Sequence, residues 1–223
     1  MNKIPIILDV DTGIDDTLAL MYALSDERFD IKGITTVFGN VALGDVNRNT
    51  LQVLELLGRT HIPVASGADR ALQMDGEYVR TFMPGRSVHG LSGLGDVALP
   101  EPQITPVEEN AVEFMVRVLR ESEEKITLVP VGPMTNVAIL LMAHPELKQK
   151  IERVCLMGGA ALKGNSAPTV EANIMRDPEA AHVLFSSGVP VYMFGLDVTM
   201  KAYATDDDLV RMKAVGNHVS DKI

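Results

Sequence analysis

Short apolar runs rich in β-branched residues alternate along the chain with amphipathic segments of helical length. The runs predict strands over residues 4–8, 31–37, 62–65, 126–129, 153–157 and 189–194. Helices are predicted over residues 15–24, through 51–57, over 107–119, from 134 onward and around 177–182. Near-continuous apolar strands are buried on both faces, so the alternation indicates a parallel sheet flanked by helices. Right-handed crossovers then favour an open, mostly parallel, doubly wound α/β sheet.

Two segments depart from this pattern. Residues 68–101 are rich in Gly, Pro and Arg, and residues 158–171 are rich in Gly, Asn and Ser. Long loops inside a compact domain are commonly functional or disordered. No linker of distinct composition divides the chain, and we therefore expect residues 1–223 to form a single domain.

Composition narrows the class of partner. The net charge is -10, whereas a nucleic-acid surface needs a basic patch, so DNA and RNA are not expected partners. The single cysteine, Cys155, lies in an apolar run and fits a reducing compartment. The first residues lack the pattern of a signal peptide, and the longest apolar run, 137–143, is too short to span a bilayer. We expect a cytoplasmic protein that does not enter membranes.

Polar residues recur where the predicted strands end. The first strand runs into Asp9, Asp11, Asp15 and Asp16, and later strands run into Asn40, the Gly132 region, Gly158-Gly159 and Asp197. Ligands of open α/β sheets bind beyond the carboxyl ends of the strands. Four carboxylates within eight residues repel one another unless a cation or protons offset them, and oxygen ligands favour calcium or magnesium over zinc. The sequence therefore predicts a cation-dependent site at this edge.

Two other interpretations of the acidic cluster stay open on the residues alone. Asp15 and Asp16 could simply favour the positive N-terminus of the following helix. An Asp-x-Asp-Thr-Gly motif after a strand is also typical of haloacid dehalogenase-like phosphatases, in which Asp9 would be the nucleophile and Asp11 the acid/base. That class also needs a Lys and a later acidic pair at strand ends. Lys125 precedes its strand, and the later strand ends carry Gly.

A series of motifs in order along the chain resembles the inosine-uridine preferring nucleoside hydrolase family. The motifs are residues 8–16, 35–40, 88–93, 128–136, 156–159, 164–165, 171–173 and 177–181. The resemblance implies a Rossmann-like core and hydrolysis of the N-glycosidic bond of purine or pyrimidine ribonucleosides with Ca²⁺, for nucleoside salvage. It also implies a homodimer or homotetramer.

The resemblance assigns roles to individual residues. Asp11, Asp16 and the carbonyl of Val131 would be the metal ligands, and Asp11 would also be the general base toward the attacking water. Asn40 would orient that water. Asp15 and Asn173 would bind ribose hydroxyls, and Met157 would line the ribose pocket. Asn165 and Glu171 would hold the 5′-hydroxyl end of the substrate, and His89 would lie near the base. Without the resemblance, His89 is as readily a loop histidine bonded to backbone, and Asn40 and Asn165 are ordinary turn residues.

The chain also departs from the family pattern. Family members continue past the position of Ile223, and their further segment supplies a His-Asp pair that completes the metal site and protonates the departing base. Ala172 stands where many members carry an aromatic residue, which reduces one wall of the base pocket. We therefore expect a C-terminally truncated form of the domain, with an inactive nucleoside- or calcium-binding remnant as the alternative to an active enzyme.

Overall fold

Parallel strands form one open sheet in the computed structural model, which describes residues 3–73, 88–95 and 97–222. The strands within these residues are β1 (Ile4–Val10), β2 (Phe29–Thr36), β3 (Val64–Ser66), β4 (Ile126–Pro130), β5 (Ile151–Met157) and β6 (Val191–Phe194). Their order is β3-β2-β1-β4-β5-β6, and every neighbouring pair is parallel. The predicted open, doubly wound sheet is confirmed, with strand boundaries shifted by a few residues.

Helices connect the strands and cover both faces of the sheet. They are α1 (Ile14–Ser25), α2 (Leu43–Leu56), α3 (Ala111–Glu121), α4 (Thr135–Ala143), α5 (Ala172–Arg176), α6 (Pro178–Phe185), α7 (Leu196–Thr199) and α8 (Asp206–Lys213), with 3-10 turns at Pro145–Lys150 and Ser220–Lys222. Among the described residues, no helix combines the length and apolar character needed to cross a membrane.

One predicted helix begins later than expected, and one short helix was not predicted. The helix predicted from residue 107 begins at Ala111, because the Asn110 side chain accepts hydrogen bonds from the backbone N–H groups of Val112 and Glu113 and caps the first turn. The helix predicted around 177–182 is confirmed as α6, whereas the short helix α5 before it was not predicted. Asp177 separates them, since its side chain caps the start of α6. Of the loop predicted over 68–101, residues 74–87 and 96 lie outside the described residues.

The central strand β1 is buried on both faces. Ile7 packs in a cluster with Phe114 and Leu128 on one side of the sheet, while Ile6 and Leu8 pack in a second cluster on the other. Alternate residues of a strand face opposite sides, so each cluster takes one face of β1. The observed burial explains why the sequence of this strand is apolar without alternation.

The site is positioned by the reversal of strand order between β1 and β4. These two strands pair in parallel, with Asp9 opposite Pro130 at their carboxyl ends. The chain leaves β1 toward β2 and leaves β4 toward β5, so the two connections diverge to opposite halves of the sheet. Such a divergence opens a crevice beyond the strand ends, which is where ligands bind in this architecture.

Candidate active site

Asp11 lies at the centre of the crevice, directly after β1, with 1% of its surface exposed. The backbone N–H of Asn40 donates a 2.8 Å hydrogen bond to its Oδ2 atom. Glycines flank the carboxylate on two sides: a Cβ added to Gly39 would lie 2.0 Å from Asp11 Oδ2, and one added to Gly132 would lie 2.8 Å from Oδ1. The loops after β2 and β4 therefore approach Asp11 so closely that only glycine fits.

Asp16 lies beside Asp11, in the first turn of α1. Its Oδ2 atom accepts hydrogen bonds from the backbone N–H of Gly13 at 3.0 Å and from the side-chain amide of Asn40 at 3.2 Å. The first bond caps α1, as the helix-terminus interpretation expects. The other oxygen, Oδ1, is buried and has no hydrogen-bond partner among the described residues. Asn40 thus joins the two carboxylates through its backbone and its side chain, while one buried oxygen of Asp16 stays unsatisfied.

Burial raises the pKa of both carboxyl groups. The pKa of Asp16 reaches about 7, through burial first and then through the negative charge of Asp15. Burial and the charge of Asp16 also raise the pKa of Asp11 well above its ordinary value, while the guanidinium of Arg176 acts in the opposite direction. The described residues therefore leave negative charge in the crevice incompletely balanced, and a bound cation would lower both pKa values.

Asn173, near the start of α5, connects the strand ends of β4 and β5. Its side-chain N–H₂ group donates to the carbonyl of Val131 at 2.7 Å, to the carbonyl of Met157 at 3.2 Å and to Met157 Sδ at 3.4 Å. The sequence-predicted residues Val131, Met157 and Asn173 are thus brought together. The Val131 carbonyl that was predicted to face a metal already accepts a hydrogen bond from Asn173.

Arg176 enters the crevice from the C-terminal end of α5. Its Nη1 atom lies 3.4 Å from Asn173 Oδ1 and 4.0 Å from Asp11 Oδ2, and its Nη2 atom lies 3.4 Å from Asn40 Oδ1. The side chain is 23% exposed. The sequence interpretation missed this residue, although its spacing of three from Asn173 on a helix would place both side chains on one face.

His89 lies against the start of α1. The backbone N–H of Ile14 donates to His89 Nδ1 at 3.2 Å, which requires that this nitrogen carry no proton. Burial lowers the pKa of His89, so the neutral ring is favoured, and the 3.6 Å approach of Nδ1 to Asp15 Oδ1 is a polar contact of a neutral ring. Asp15 itself is 74% exposed at its side chain. The two predicted substrate-binding residues stand together at the rim.

Asn165 and Glu171 belong to the loop before α5. The Asn165 Oδ1 atom accepts from the backbone N–H of Ala172 at 2.9 Å, and the Asn165 residue is exposed. Glu171 is 2% exposed, and its carboxylate accepts from the backbone N–H groups of Gly159, Asn173 and Ile174 at 2.9–3.2 Å. Glu171 therefore caps α5 and fixes the position of Asn173, in addition to any substrate role.

Comparison with known proteins identifies the family. The sequence model described as inosine-uridine preferring nucleoside hydrolase matches residues 6–223. A pyrimidine-specific ribonucleoside hydrolase, RihA, of Escherichia coli O1:K1 / APEC is 50% identical over 217 residues, which cover 97% of this chain and 68% of that protein. The chain belongs to the inosine-uridine preferring nucleoside hydrolase family. Members named ribonucleoside hydrolases are N-glycosidases, so the comparison favours this class over the phosphatases.

Solved structures agree with the family assignment. A purine-preferring ribonucleoside hydrolase from Gardnerella vaginalis superposes with a TM-score of 0.91 at 38% identity, over 98% of this chain and 70% of that one. An inosine-guanosine nucleoside hydrolase superposes with a TM-score of 0.88 at 27% identity, over 97% of this chain and 69% of that one. The fold of the described chain is thus the nucleoside hydrolase fold.

The oxygen atoms of this nucleoside hydrolase site suit a hard cation. The donors at hand are the carboxylates of Asp11 and Asp16 and the carbonyl of Val131, and the unsatisfied Asp16 Oδ1 marks a missing partner. Across residues 3–73, 88–95 and 97–222, no three His, Cys, Asp or Glu side chains converge as a metal site. The three donors therefore fit only part of the oxygen shell of a hard divalent cation.

Buried carboxyl groups also support the nucleoside hydrolase site from behind, a role that the sequence analysis did not assign to them. Asp9 is fully buried, and its Oδ1 atom accepts from Thr35 Oγ1 at 2.6 Å and from the Asn136 side chain at 2.8 Å. Burial raises the pKa of Asp9 to about 6. Asp177 accepts from Thr135 Oγ1 at 2.6 Å and from two backbone N–H groups. The sequence alone selects Asp9 as a member of the acidic cluster and Asp177 only as part of the 177–181 motif.

Proposed function

We propose that this chain is a calcium-dependent ribonucleoside hydrolase in which Asp11 is the general base. The observation that carries the proposal is the placement of Asp11 at the strand-order reversal, where Gly39 and Gly132 enclose it. Beside it lies a buried oxygen of Asp16 that has no hydrogen-bond partner in the part of the chain that the structure describes. A site with two adjacent buried carboxylates stabilises positive charge, and cleavage of a ribosyl bond develops positive charge on the sugar.

The residues of the crevice have separate proposed roles in hydrolysis. Asp11, Asp16 and the Val131 carbonyl would hold Ca²⁺, which would supply a fixed positive charge that favours ribose binding and makes the attacking water more acidic. The backbone N–H of Asn40 holds the Oδ2 atom of Asp11, and Asp11 would take a proton from the attacking water. Asn40 also orients the water through its side chain. Asp16 and the Val131 carbonyl complete the protein's share of the cation site.

Substrate contacts surround this centre. Asp15, which is largely exposed at the rim, and Asn173, which is fixed by Glu171, would bind the ribose hydroxyls. Met157 would line the ribose pocket. Asn165 and Glu171 would hold the 5′-hydroxyl end, and the neutral ring of His89 would lie near the base. Because Glu171 already accepts three backbone hydrogen bonds, its contribution to substrate binding would come mainly through the position it gives Asn173.

Pyrimidine ribonucleosides are the proposed first substrates. Support comes from the 50% identity to a protein named as pyrimidine-specific, against 38% to one named as purine-preferring. Purine ribonucleosides are assayed as well, because the pyrimidine-specific and the purine-preferring relatives belong to the same class of hydrolase. The proposal also retains the expected cytoplasmic salvage role and a homodimer or homotetramer, for which light scattering after gel filtration is the direct measurement.

The experiment measures free ribose released from uridine, cytidine, inosine and adenosine, with Ca²⁺ and with a chelator. Chelator-sensitive release, larger for uridine and cytidine, would support the proposal. Asp11→Asn should lower kcat by about 10²–10⁴-fold, since it removes the proton acceptor but keeps the shape of the side chain. Asp30→Asn is the matched control, because Asp30 pairs with Lys32 at the surface.

The same assay separates the proposed enzyme from the remnant alternative. Near-normal release by Asp11→Asn would remove Asp11 from the mechanism. No release by a folded wild-type chain would contradict hydrolysis by these residues alone. Protection of that chain against thermal unfolding by uridine or Ca²⁺ would then identify a binding remnant.

A further inference from the structure

Arg176 is the positively charged side chain that the described structure brings against Asp11, and no role follows for it from the proposed reaction. Its guanidinium bridges two amides, with Nη1 at 3.4 Å from Asn173 Oδ1 and Nη2 at 3.4 Å from Asn40 Oδ1. Both contacts are to the amide oxygens. A guanidinium only donates hydrogen bonds, so it selects the orientation in which each amide turns its oxygen toward Arg176.

That orientation fixes the opposite end of each amide. With its oxygen on Arg176, Asn40 presents its N–H₂ group to Asp16 Oδ2 at 3.2 Å. Asn173 likewise presents its N–H₂ group to the Val131 carbonyl at 2.7 Å. Asp16 and Val131 are two of the three oxygen donors proposed for the cation. One arginine thereby places an N–H group on both of them.

The charge of Arg176 acts in the same direction as these hydrogen bonds. Its Nη1 atom lies 4.0 Å from Asp11 Oδ2, and Asp11 is 1% exposed at its side chain. Charges at this separation interact strongly when one of them is buried. The guanidinium therefore offsets part of the negative charge of the carboxylates, and it would repel a divalent cation placed among them.

From this geometry we infer that Arg176 is a positioning residue that closes the carboxylate site in the absence of a cation and competes with Ca²⁺ for it. The inference rests on the calcium site of the proposed function. The amide N–H groups of Asn40 and Asn173 occupy acceptor positions on Asp16 Oδ2 and the Val131 carbonyl, where they compete with a cation, and Arg176 holds both amides in that orientation. The affinity for Ca²⁺ is consequently set below what the oxygen donors alone would give.

The test is titration calorimetry of Ca²⁺ into the metal-free chain at low ionic strength. Arg176→Met should tighten the dissociation constant by about tenfold or more, because the competing charge and both amide contacts are lost. Arg176→Lys retains the charge and should stay within about threefold of wild type. Arg120→Met is the matched control, since Arg120 pairs with Glu146 on the surface of α3 and should leave the affinity unchanged.

Thermal unfolding in a chelator gives a second readout that needs neither calcium nor turnover. Arg176→Met should lower Tm at pH 8, and saturating Ca²⁺ should remove most of the difference by replacing the lost charge. Arg120→Met should not show this pattern. An unchanged or higher Tm of Arg176→Met in the chelator would overturn the inference.

The outcomes keep the inference distinct from the proposed function. Equal or weaker Ca²⁺ affinity in Arg176→Met, with clear binding by wild type, would overturn the role of Arg176 and leave the calcium site standing. Tightening by Arg176→Lys as large as that by Arg176→Met would also overturn it. Binding by Arg176→Met alone would support the inference strongly. No binding by either protein would contradict the proposed calcium site, and with it the competition.

Discussion

Gly39 faces Asp11 with no room for a side chain between them. An added Cβ would lie 2.0 Å from Asp11 Oδ2 and 2.6 Å from its Cβ, both well inside contact distance. Gly132 packs against the other side of the carboxylate, where an added Cβ would lie 2.8 Å from Asp11 Oδ1, so Asp11 has no room to move away from Gly39. The position of the proposed general base is thus set by the two loops that enclose it.

Gly39→Ala should displace Asp11 and lower kcat/KM for ribonucleoside hydrolysis by about 10²-fold or more, since small misplacements of a reacting group are expensive. Ca²⁺ affinity should fall as well. Ribose release and calorimetry measure the two effects. Gly44→Ala is the control, because an added Cβ there meets nothing within 4 Å. Equal activity of the two variants would contradict the proposed place of Asp11.

Asp9→Asn should stabilise the metal-free chain at alkaline pH. Burial raises the folded-state pKa of Asp9 from 3.8 to about 6, so ionising the carboxyl disfavours the folded state. Protonated Asp9 makes its full contribution to the free energy of unfolding below about pH 4, and this contribution is lost as the pH rises through about 6. At pH 8, the free energy of unfolding of Asp9→Asn should therefore exceed that of wild type by about 3 kcal/mol, and denaturant unfolding in a chelator measures the difference.

The advantage of Asp9→Asn should vanish below about pH 4, where wild-type Asp9 is protonated in both states. The amide oxygen of the variant can still accept from Thr35 and Asn136, so its packing is retained. Asp30→Asn, at an exposed surface pair, should show no such pH dependence. A stability difference for Asp9→Asn that does not change with pH would argue against a raised pKa.

Asp177→Ala should destabilise the fold by about 3–5 kcal/mol, because it leaves three donors without a partner in the interior. Those donors are Thr135 Oγ1 and the backbone N–H groups of Leu72 and Ala180. Denaturant unfolding measures the loss. Asp208→Ala removes an exposed cap of α8 and should change stability by about 1 kcal/mol or less. Similar losses in both variants would show that burial of Asp177 contributes little.

The sheet could be predicted from the sequence because its strands are buried on both faces. A strand such as β1 leaves a continuous apolar run. Its pairing with β4, which brings Asp9 opposite Pro130, is given by the structure and not by chain order. The end of a strand also marks the site edge, so Asp11, Asp16 and Asn40 could be selected. The helix boundary at Asn110 depended on capping contacts that apolar periodicity does not report.

Arg176 and the carboxylate contacts of Glu171 were not predictable in the same way. Arginine at the end of a short helix is ordinarily a solvated charge, and only the packing of α5 beneath the crevice turns Arg176 toward Asp11. Glu171 was selected as a substrate contact, whereas the structure also makes it the cap of α5. In both cases the decisive information is the orientation of a side chain after tertiary packing.

The bond between Asn136 and Asp9 joins residues 127 positions apart in sequence, and Asn173 reaches Val131 across a further 42. Both halves of the doubly wound sheet must therefore be in place before the crevice exists. Parallel sheets with such distant pairings fold slowly, because the entropic cost of closing long loops must be met before the contacts between the strands form. During refolding, recovery of cation binding would consequently be a late event and would report completion of the whole sheet, well after its local helices have formed.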